Sequence, residues 1–291
     1  MIIANVAQRL TTFVGGQAVD VEERSGGLFK ADQAAIYERW SEFRQWADGI
    51  GAKGPGEVAT DLLDAPSPRP SQVFAISLNY RDHAAEANLA IPEFPAAFTK
   101  FQSCIVGART PVELAGPTSD WEVELVVVMG QPTSKVAADG AWNHVAGVTI
   151  GQDLSERARQ LAGPMPQFSL GKSFAGYGPT GPWLVTPDEL PDADDLALRC
   201  LPDGETVQES RTSQLIFSVP DLIAALSSVL TLMPGDLIFT GTPAGVGFAR
   251  SPQRFLKPGQ QLLSEIEGIG QLPTRIAGPR GQSANPQVSH G

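Results

Sequence analysis

Two glutamates stand two positions apart at the start of an apolar segment. The segment, residues 120–130, has the sequence DWEVELVVVMG, and its glutamates are Glu122 and Glu124. Successive side chains of a strand point to opposite faces, so both carboxylates, together with Asp120, would lie on one face. A divalent cation would offset their mutual repulsion and the cost of burying them. Oxygen ligands favour Mg²⁺, Mn²⁺ or Ca²⁺ over zinc, although Glu-x-Glu pairs are also common on solvated strands.

A cation at this position needs a third ligand, and Asp153 is the candidate. It follows an apolar strand predicted at residues 147–151 and begins a predicted short helical turn. Asp153, Arg157 and Gln160 are separated by four and three positions, a helical spacing that would place them on one face of that turn. The alternative is that Asp153 is only an N-cap and that Arg157 forms a surface ion pair with it.

His83 and Glu86 form the best candidate for a general base. They are three positions apart in NYRDHAAEA, residues 79–87, where a short helix is predicted. At this spacing a carboxylate can orient an imidazole and raise its basicity. The alternative is an ordinary surface pair on a helix. His144 has no acid at helical spacing and is expected to be structural, and His290 lies near the end of the chain.

Two glycine-rich stretches could approach a ligand with their backbone. The first, residues 170–183, carries Lys172, and the second, residues 234–247, carries Thr240 and Thr242. Glycine permits such close approach, but neither stretch has the residue order of a phosphate-binding P-loop. The alternative is that both are sets of tight turns.

Many short strands are predicted to position these residues. The 30 glycines and 24 prolines punctuate short apolar runs, which favours strands and turns over a helix bundle. Helices are predicted at 32–49 and 218–230, the latter with a capping box between Ser218 and Asp221. A hairpin turn is predicted at Gly15–Gly16. The strands do not repeat as βαβ units, so a mixed, largely antiparallel sheet is expected. They are predicted at 72–78, 122–129, 147–151, 182–186, 196–201, 236–240 and 261–267.

The composition restricts the partners and the compartment. The net charge of −11 disfavours nucleic acid and anionic membranes as partners. Cys104 and Cys200 are too few for a disulfide framework, which fits the cytoplasm. Neither a signal peptide nor a membrane span is expected. A proline-rich connector separates a predicted small α+β domain, 1–65, from a predicted catalytic domain, 66–277, and the tail at 278–291 is expected to be disordered.

Several motifs together closely resemble the fumarylacetoacetate hydrolase superfamily. They are Asn79-Tyr80 with Asp82-His83, the DWEVE strand, Gly151-Gln152-Asp153, GKSFAGYGPTGPW and GDLIFTGTPAGVG, in this order between about residues 72 and 277. The resemblance implies an α+β, mainly β, fold with a mixed β-roll catalytic domain behind a small N-terminal domain. It also implies a homodimer.

The resemblance also implies roles for individual residues. Mg²⁺ or Mn²⁺ would be held by Glu122, Glu124 and Asp153, with Asp120 beside the ligands rather than on the metal. In relatives that cleave C–C bonds, a His–Glu pair on a lid helix activates water, and His83 and Glu86 match it. The residues that match substrate-handling positions are Arg157, Gln160, Lys172, Tyr80 and Thr242.

This sequence departs from the family at two positions beside the site. Gln152 stands where Asn is more common, and Glu156 stands where a small residue is common. A substrate different from the common ones is therefore expected. The loop at 88–98 is expected to flank the pocket.

The leading hypothesis from the sequence is a hydrolase that cleaves a C–C bond in a 1,3-diketo or 2-oxo acid. His83 would deprotonate water, Lys172 and the metal would stabilise the leaving enolate, and Gln160 would orient water or the enol. Arg157 or Lys172 would bind a carboxylate. The alternatives are oxaloacetate decarboxylation and isomerisation of 2-hydroxyhepta-2,4-diene-1,7-dioate on the same scaffold. A non-catalytic protein that binds a metal or a small acid is a third interpretation.

Overall fold

The structure, a computed structural model, describes residues 1–277, and the tail expected to be disordered lies outside the described residues. The helices are α1 (Val21–Arg24), α2 (Trp40–Gly49), α3 (Arg81–Glu86), α4 (Arg157–Gln160), α5 (Phe168–Gly171) and α6 (Val219–Val229). Short 3₁₀ helices lie at Gln33–Arg39, Thr60–Leu62, Gln102–Cys104, Ala138–His144, Pro187–Glu189, Thr212–Gln214 and Gly247–Ala249.

Strands dominate the fold, as the sequence predicts. They are β1 (Ile2–Val6), β2 (Arg9–Val14), β3 (Gln17–Asp20), β4 (Leu63–Asp64), β5 (Val73–Ser77), β6 (Ala96–Thr99), β7 (Ile105–Val106), β8 (Val112–Glu113), β9 (Ser119–Asp120), β10 (Val123–Met129), β11 (Val145–Gln152), β12 (Ser155–Glu156), β13 (Gly178–Val185), β14 (Ala197–Pro202), β15 (Gln208–Arg211), β16 (Leu237–Phe239), β17 (Gln261–Ile266) and β18 (Gly270–Ala277). All seven predicted strands are present. The sequence did not predict β1, β6, β15 and β18, nor the two-residue strands β4, β7, β8, β9 and β12.

The strands form a large sheet, a smaller sheet and one isolated pair. The large sheet has eleven strands in the order β3-β2-β1-β13-β11-β10-β16-β5-β6, with β4 and β7 off this path. The smaller sheet has the order β15-β14-β17-β18-β8, and β12 pairs with β9 alone. Most pairs are antiparallel, but β5 with β16, β7 with β13 and β8 with β18 are parallel. The predicted mixed, mainly antiparallel architecture is confirmed.

Strand β10 is buried on both faces, which explains its continuous apolar run. Its odd-numbered residues 123–129 belong to a core cluster that also contains Leu198 and Leu262 of the smaller sheet. Val126 and Val128 belong to a second cluster with Phe43 of α2. Because both faces are covered, a carboxylate at the end of this strand is held in dry, rigid surroundings.

The N-terminal strands extend the large sheet. Ile2 and Ile3 of β1 pair with Val185 and Leu184 of β13, and the predicted hairpin joins β2 to β3. The helix predicted at 32–49 is divided into a 3₁₀ helix followed by α2. Gln33 and Tyr37 in the 3₁₀ part both donate to the Pro66 carbonyl, which ties this segment to the connector. The domain division at residue 65 stays a prediction.

None of the helices in residues 1–277 combines the length and the apolar character that crossing a membrane requires. The longest one named, α6, has eleven residues. It begins at the predicted capping box, in which Ser218 Oγ accepts the Asp221 N–H at 3.3 Å and the Asp221 carboxylate accepts the Ser218 N–H at 3.0 Å.

We predict that Ser218→Ala lowers the free energy of unfolding by about 1 kcal/mol, because it removes one side of this capping box. Urea unfolding followed by circular dichroism measures the change. Ser228→Ala is the matched control, because the Ser228 hydroxyl donates only to a carbonyl of its own helix. Equal effects of the two substitutions would contradict a capping role for Ser218.

Candidate metal centre and active site

Three buried carboxylates meet where β10 and β11 lie side by side. Glu122, Glu124 and Asp153 each offer one oxygen, and these oxygens all lie within 4.8 Å of one another. In the antiparallel pairing of β10 with β11, Glu124 lies opposite Gly151. Next to this pair, the Asp153 N–H donates to the Glu122 carbonyl at 2.9 Å. The antiparallel register therefore brings together residues that are about thirty positions apart in sequence, as the sequence predicted.

Two buried lysines partly neutralise this cluster. Lys172 Nζ donates to Glu122 Oε2 and to Asp153 Oδ2, both at 2.8 Å. Lys100 Nζ donates to Asp153 Oδ1 at 2.7 Å and also reaches the Lys172 carbonyl. Sequence reasoning missed Lys100, which directly follows β6. Its signal was a single lysine within the otherwise mostly apolar stretch PAAFTKFQSCIV.

Arg157 joins the cluster to Asp120. Its Nε and Nη2 donate to Asp120 Oδ2 at 2.9 and 2.7 Å, and its Nη1 lies 2.7 Å from Glu122 Oε1 and 2.9 Å from Gln160 Oε1. Asp120 lies in β9, outside β10, and it contacts the three-carboxylate cluster through Arg157. It also accepts the backbone N–H groups of residues 121, 247 and 248.

The helix face predicted to hold both Asp153 and Arg157 does not form, so this part of the prediction was wrong. Ser155 and Glu156 form β12, which pairs with β9, and α4 begins only at Arg157. Pairing with a strand more than thirty positions away outweighs the local helical spacing. Arg157 is therefore neither a surface residue nor a partner of Asp153.

The pKa values of the glutamates differ because their neighbours differ. Burial alone would raise the pKa of Glu122, but the charges of Lys172 and Arg157 outweigh it and lower this pKa to about 2. Burial, with the negative charges of Asp153 and Glu122, raises the pKa of Glu124 well above its ordinary value. Three converging carboxylates, one of which resists ionisation, fit a divalent cation that would supply the missing positive charge.

The second glycine-rich stretch follows β16 and lies against this cluster. Gly241 has φ +104°, and its N–H donates to Glu124 Oε2 at 2.8 Å. A side chain at Gly241 would meet the Cβ of Asn79 at 2.7 Å, so this close approach requires glycine. The hydroxyls of Thr240 and Thr242 donate to carbonyls of β10, at Leu125 and Val123, both at 2.9 Å. The loop is therefore fixed to the strand that carries the glutamates.

Helix α3 carries the predicted His–Glu pair and is docked on the same loop. His83 Nδ1 lies 3.2 Å from Glu86 Oε2, and both Glu86 carboxylate oxygens accept the Gly245 N–H at 3.1 Å. Asp82 accepts the His83 N–H at 2.7 Å and the Ser210 hydroxyl at 2.9 Å. The His83 and Glu86 side chains are 18% and 25% exposed, so water reaches the pair.

A single cavity of about 480 Å³ joins α3 to the carboxylate cluster. Glu122 lines it on the metal side and His83 with Glu86 on the helix side. Leu89 and Phe98 bring the loop at 88–98 to its wall, as expected. The predicted residues Arg157, Gln160, Lys172 and Thr242 complete the set of candidate site residues that line the cavity.

A family model described as fumarylacetoacetate (FAA) hydrolase, C-terminal, matches residues 72–277, the range over which the sequence motifs occur. The chain belongs to the fumarylacetoacetate hydrolase family. It is an enzyme of this family.

Relatives within the family differ in the reactions that their names state. The human protein named oxaloacetate tautomerase FAHD2A, mitochondrial, is 42% identical over 214 residues, which cover 73% of this chain and 68% of that protein. A Mycobacterium smegmatis structure described provisionally as an HpcE protein is 51% identical, with a TM-score of 0.90 over 95% of this chain and 99% of that chain. The 2-hydroxyhepta-2,4-diene-1,7-dioate isomerase of Mycobacterium marinum is 35% identical, with a TM-score of 0.65 over 74% and 77% of the two chains.

Tyr80 lies outside the cavity lining, as do the buried metal-ligand candidates Glu124 and Asp153. A bridge to Leu215 turns the Tyr80 side chain inward, where it is fully buried in the core. Burial, followed by the charges of Glu124 and Asp82, raises its pKa well above the ordinary value. Within residues 1–277 its hydroxyl has no hydrogen-bond partner.

The two departures from the family pattern also lie outside the cavity lining. Gln152 Oε1 accepts the Glu122 N–H at 2.9 Å, and its Nε2 donates to Ser264 at 2.8 Å. Glu156 caps α4 by accepting the Arg159 N–H at 2.7 Å. Their side chains therefore support Glu122 and α4 and do not contact the cavity directly.

We predict that Glu122→Gln and Glu124→Gln each abolish detectable Mn²⁺ binding, because each removes a carboxylate from the three-membered cluster. Asp120→Asn, which acts only through Arg157 and the backbone, should weaken binding by about 10- to 100-fold. Calorimetric or paramagnetic-resonance titration with Mn²⁺ measures these affinities. The exposed residue Glu209 provides a control, since Glu209→Gln should bind as the wild type does. Full Mn²⁺ affinity in either glutamate variant would exclude this cluster as the metal site.

We also predict that metal binding releases a proton. Because the pKa of Glu124 is raised without metal, a bound cation must displace its proton, and affinity should fall as the pH is lowered. Below that raised pKa, the fall should approach about tenfold per pH unit. Calorimetry of Mn²⁺ binding in two buffers of different ionisation enthalpy counts the protons. Equal apparent enthalpies in the two buffers, with an affinity independent of pH between about 5 and 8, would contradict the prediction.

Proposed function

We propose that this enzyme transfers a proton at the carbon beside the keto group of a 2-oxo acid, interconverting its keto and enol forms. The observation that carries the proposal is that the His83–Glu86 pair lines the same cavity as Glu122, a member of the buried carboxylate cluster. The name of the 42% identical human relative, an oxaloacetate tautomerase, supports the same reaction type.

The metal side of the cavity would receive the oxo-acid head. Glu122, Glu124 and Asp153 would hold Mg²⁺ or Mn²⁺, which would supply Lewis-acid polarisation and stabilise negative charge on the substrate oxygens. Lys172 and Arg157 add positive charge on the same side, and Gln160 is positioned by its bond to Arg157. With a divalent cation bound, the positive charges at this end of the cavity would outnumber the surrounding carboxylates, and the substrate carboxylate would be drawn toward it.

His83 would move the proton. With Nδ1–H donating to Glu86, the free Nε2 carries the lone pair and takes a proton from the carbon beside the keto group. The electron pair of that C–H bond becomes the new C=C bond, and the carbonyl π pair moves to the keto oxygen. His83 then returns the proton to this oxygen, so the enol forms without a further reactant.

Hydrolysis of a C–C bond, the leading hypothesis from the sequence, is the second candidate. The partial exposure of His83 and Glu86 favours it, because a water molecule can reach the pair. His83 would deprotonate that water, and the hydroxide would add to the carbonyl remote from the carboxylate. Breaking the C–C bond would leave a carboxylic acid and an enolate that takes up the proton. In the oxaloacetate decarboxylation that the sequence left open, the same enolate would form by loss of CO₂.

A substrate screen with Mg²⁺ and with Mn²⁺ discriminates these reactions. Keto–enol exchange of oxaloacetate is followed by the ultraviolet absorbance of the enol, and products from acylpyruvates and dienedioates are identified by NMR. Acceleration of exchange without cleavage supports the tautomerase, and cleavage products support the hydrolase. The expected homodimer and the cytoplasmic location belong to this proposal, and light scattering tests the former.

We predict that His83→Gln lowers the turnover number by about 10²- to 10⁴-fold, because the variant lacks the acid–base group. Its Mn²⁺ affinity should stay unchanged, since His83 is not a predicted ligand. His144→Gln is the matched control, because His144 Nδ1 contacts only Gln131 and Thr133, away from the cavity. Undiminished turnover in metal-loaded His83→Gln would exclude this mechanism.

A further inference from the structure

The cavity changes from charged to apolar between its floor and its mouth. The floor consists of Glu122, Arg157 and Lys172, which are only 7%, 7% and 2% exposed. The mouth carries Leu89 and Leu161, which are 57% and 41% exposed. A substrate that binds with its charged head on the floor therefore directs its other end toward aliphatic side chains.

Aromatic rings form the wall directly above the floor. The Phe98 ring lies 5.4 Å from Lys172 Nζ and meets the Phe168 ring edge-on at 5.6 Å. The Phe248 ring lies 5.8 Å from the Arg157 guanidinium carbon. Apolar contact therefore begins next to the charged groups and continues outward, with Ile76, Leu78, Ala87, Val246 and Ala249 completing the apolar lining.

The cations of the cavity are already paired at the floor. All three guanidinium nitrogens of Arg157 contact Asp120, Glu122 or Gln160, and Lys172 Nζ contacts Glu122 and Asp153. Among the cavity-lining residues of the described chain, these are the only lysine and arginine. Glu86, on the helix side, adds a negative charge. A second carboxylate at the far end of a long substrate would lose water there without meeting a further lysine or arginine.

We infer that, among 2-oxo acids long enough to reach the mouth, the site prefers those whose remote end is an alkyl or aryl group and not a second carboxylate. The assignment of the oxo-acid head to the floor rests on the proposed function. The apolar preference at the other end rests on the wall and mouth residues, which take no part in the proton transfer.

A series of ligands of increasing chain length tests this preference, by binding as well as by turnover. Unbranched 2-oxo monoacids of four to eight carbons are titrated into Mn²⁺-loaded wild-type protein, beside 2-oxo diacids of equal chain length. The monoacids should bind about fourfold more tightly for each added methylene until the chain reaches the mouth. Each long diacid should bind about tenfold or more weakly than the monoacid of the same length. Turnover of alkyl- and phenyl-substituted acylpyruvates should follow the same order.

Two substitutions at the mouth should reverse the preference. Leu161→Arg and Leu89→Arg each place a cation where the structure has an exposed leucine, and each should raise the affinity for the long diacids relative to the monoacids by about tenfold. Leu170→Arg is the matched control, because Leu170 is also exposed, at 53%, but does not line the cavity. It should leave both ligand series unchanged.

The outcomes separate this inference from the proposed function. The inference is overturned if the affinity for the monoacids does not rise with chain length, or if wild-type protein binds the diacids more tightly. Either result overturns it even if oxaloacetate exchange is accelerated. If the affinity for the monoacids rises with chain length but no keto–enol exchange is accelerated, the inference is supported and the proposed tautomerase function is overturned. A response of Leu170→Arg equal to that of Leu161→Arg also counts against the inference, because it would show a general charge effect.

Discussion

The burial of several carboxylates beside one core strand is the constraint on which the rest of the structure depends. Asp120, Glu122, Glu124 and Asp153 are each at most 7% exposed, and the cations that contact them are Lys100, Arg157 and Lys172. Four carboxylates against three cations leave one negative charge in excess, and burial together with the neighbouring carboxylates raises the pKa of Glu124. Buried ion pairs contribute little net stability, so this arrangement is better explained by chemistry than by folding.

The fold makes this arrangement possible by covering β10 on both faces. One face packs on the smaller sheet and the other on the N-terminal helices, so the strand ends are rigid and poorly hydrated. The loop after β16 fixes Glu124 through the Gly241 N–H and fixes α3 through the Gly245 N–H. One loop therefore sets the position of the candidate base relative to the carboxylates, which proton transfer requires.

The cavity separates the two tasks of binding and discrimination. In the proposed function, its charged floor would bind the oxo-acid head. Its wall and mouth are built from Phe98, Phe248, Leu89 and Leu161, which come from different segments of the chain. Changes at these positions would alter the accepted substrate without disturbing the buried charges beneath.

The sequence by itself determined the strand that carries Glu122 and Glu124, the His83–Glu86 pair and the capped helix α6, because each depends on spacing within a few residues. It also made Asp153 a candidate third ligand, and the family motifs assigned Lys172 to the same site. Only the tertiary structure decided that Lys100 reaches Asp153, that Arg157 pairs with Asp120, and that Tyr80 turns into the core. The first two are contacts between residues 53 and 37 positions apart, and the third follows from a bridge to Leu215. Local spacing carries no information about such contacts, because strand pairing and the packing of the two sheets create them.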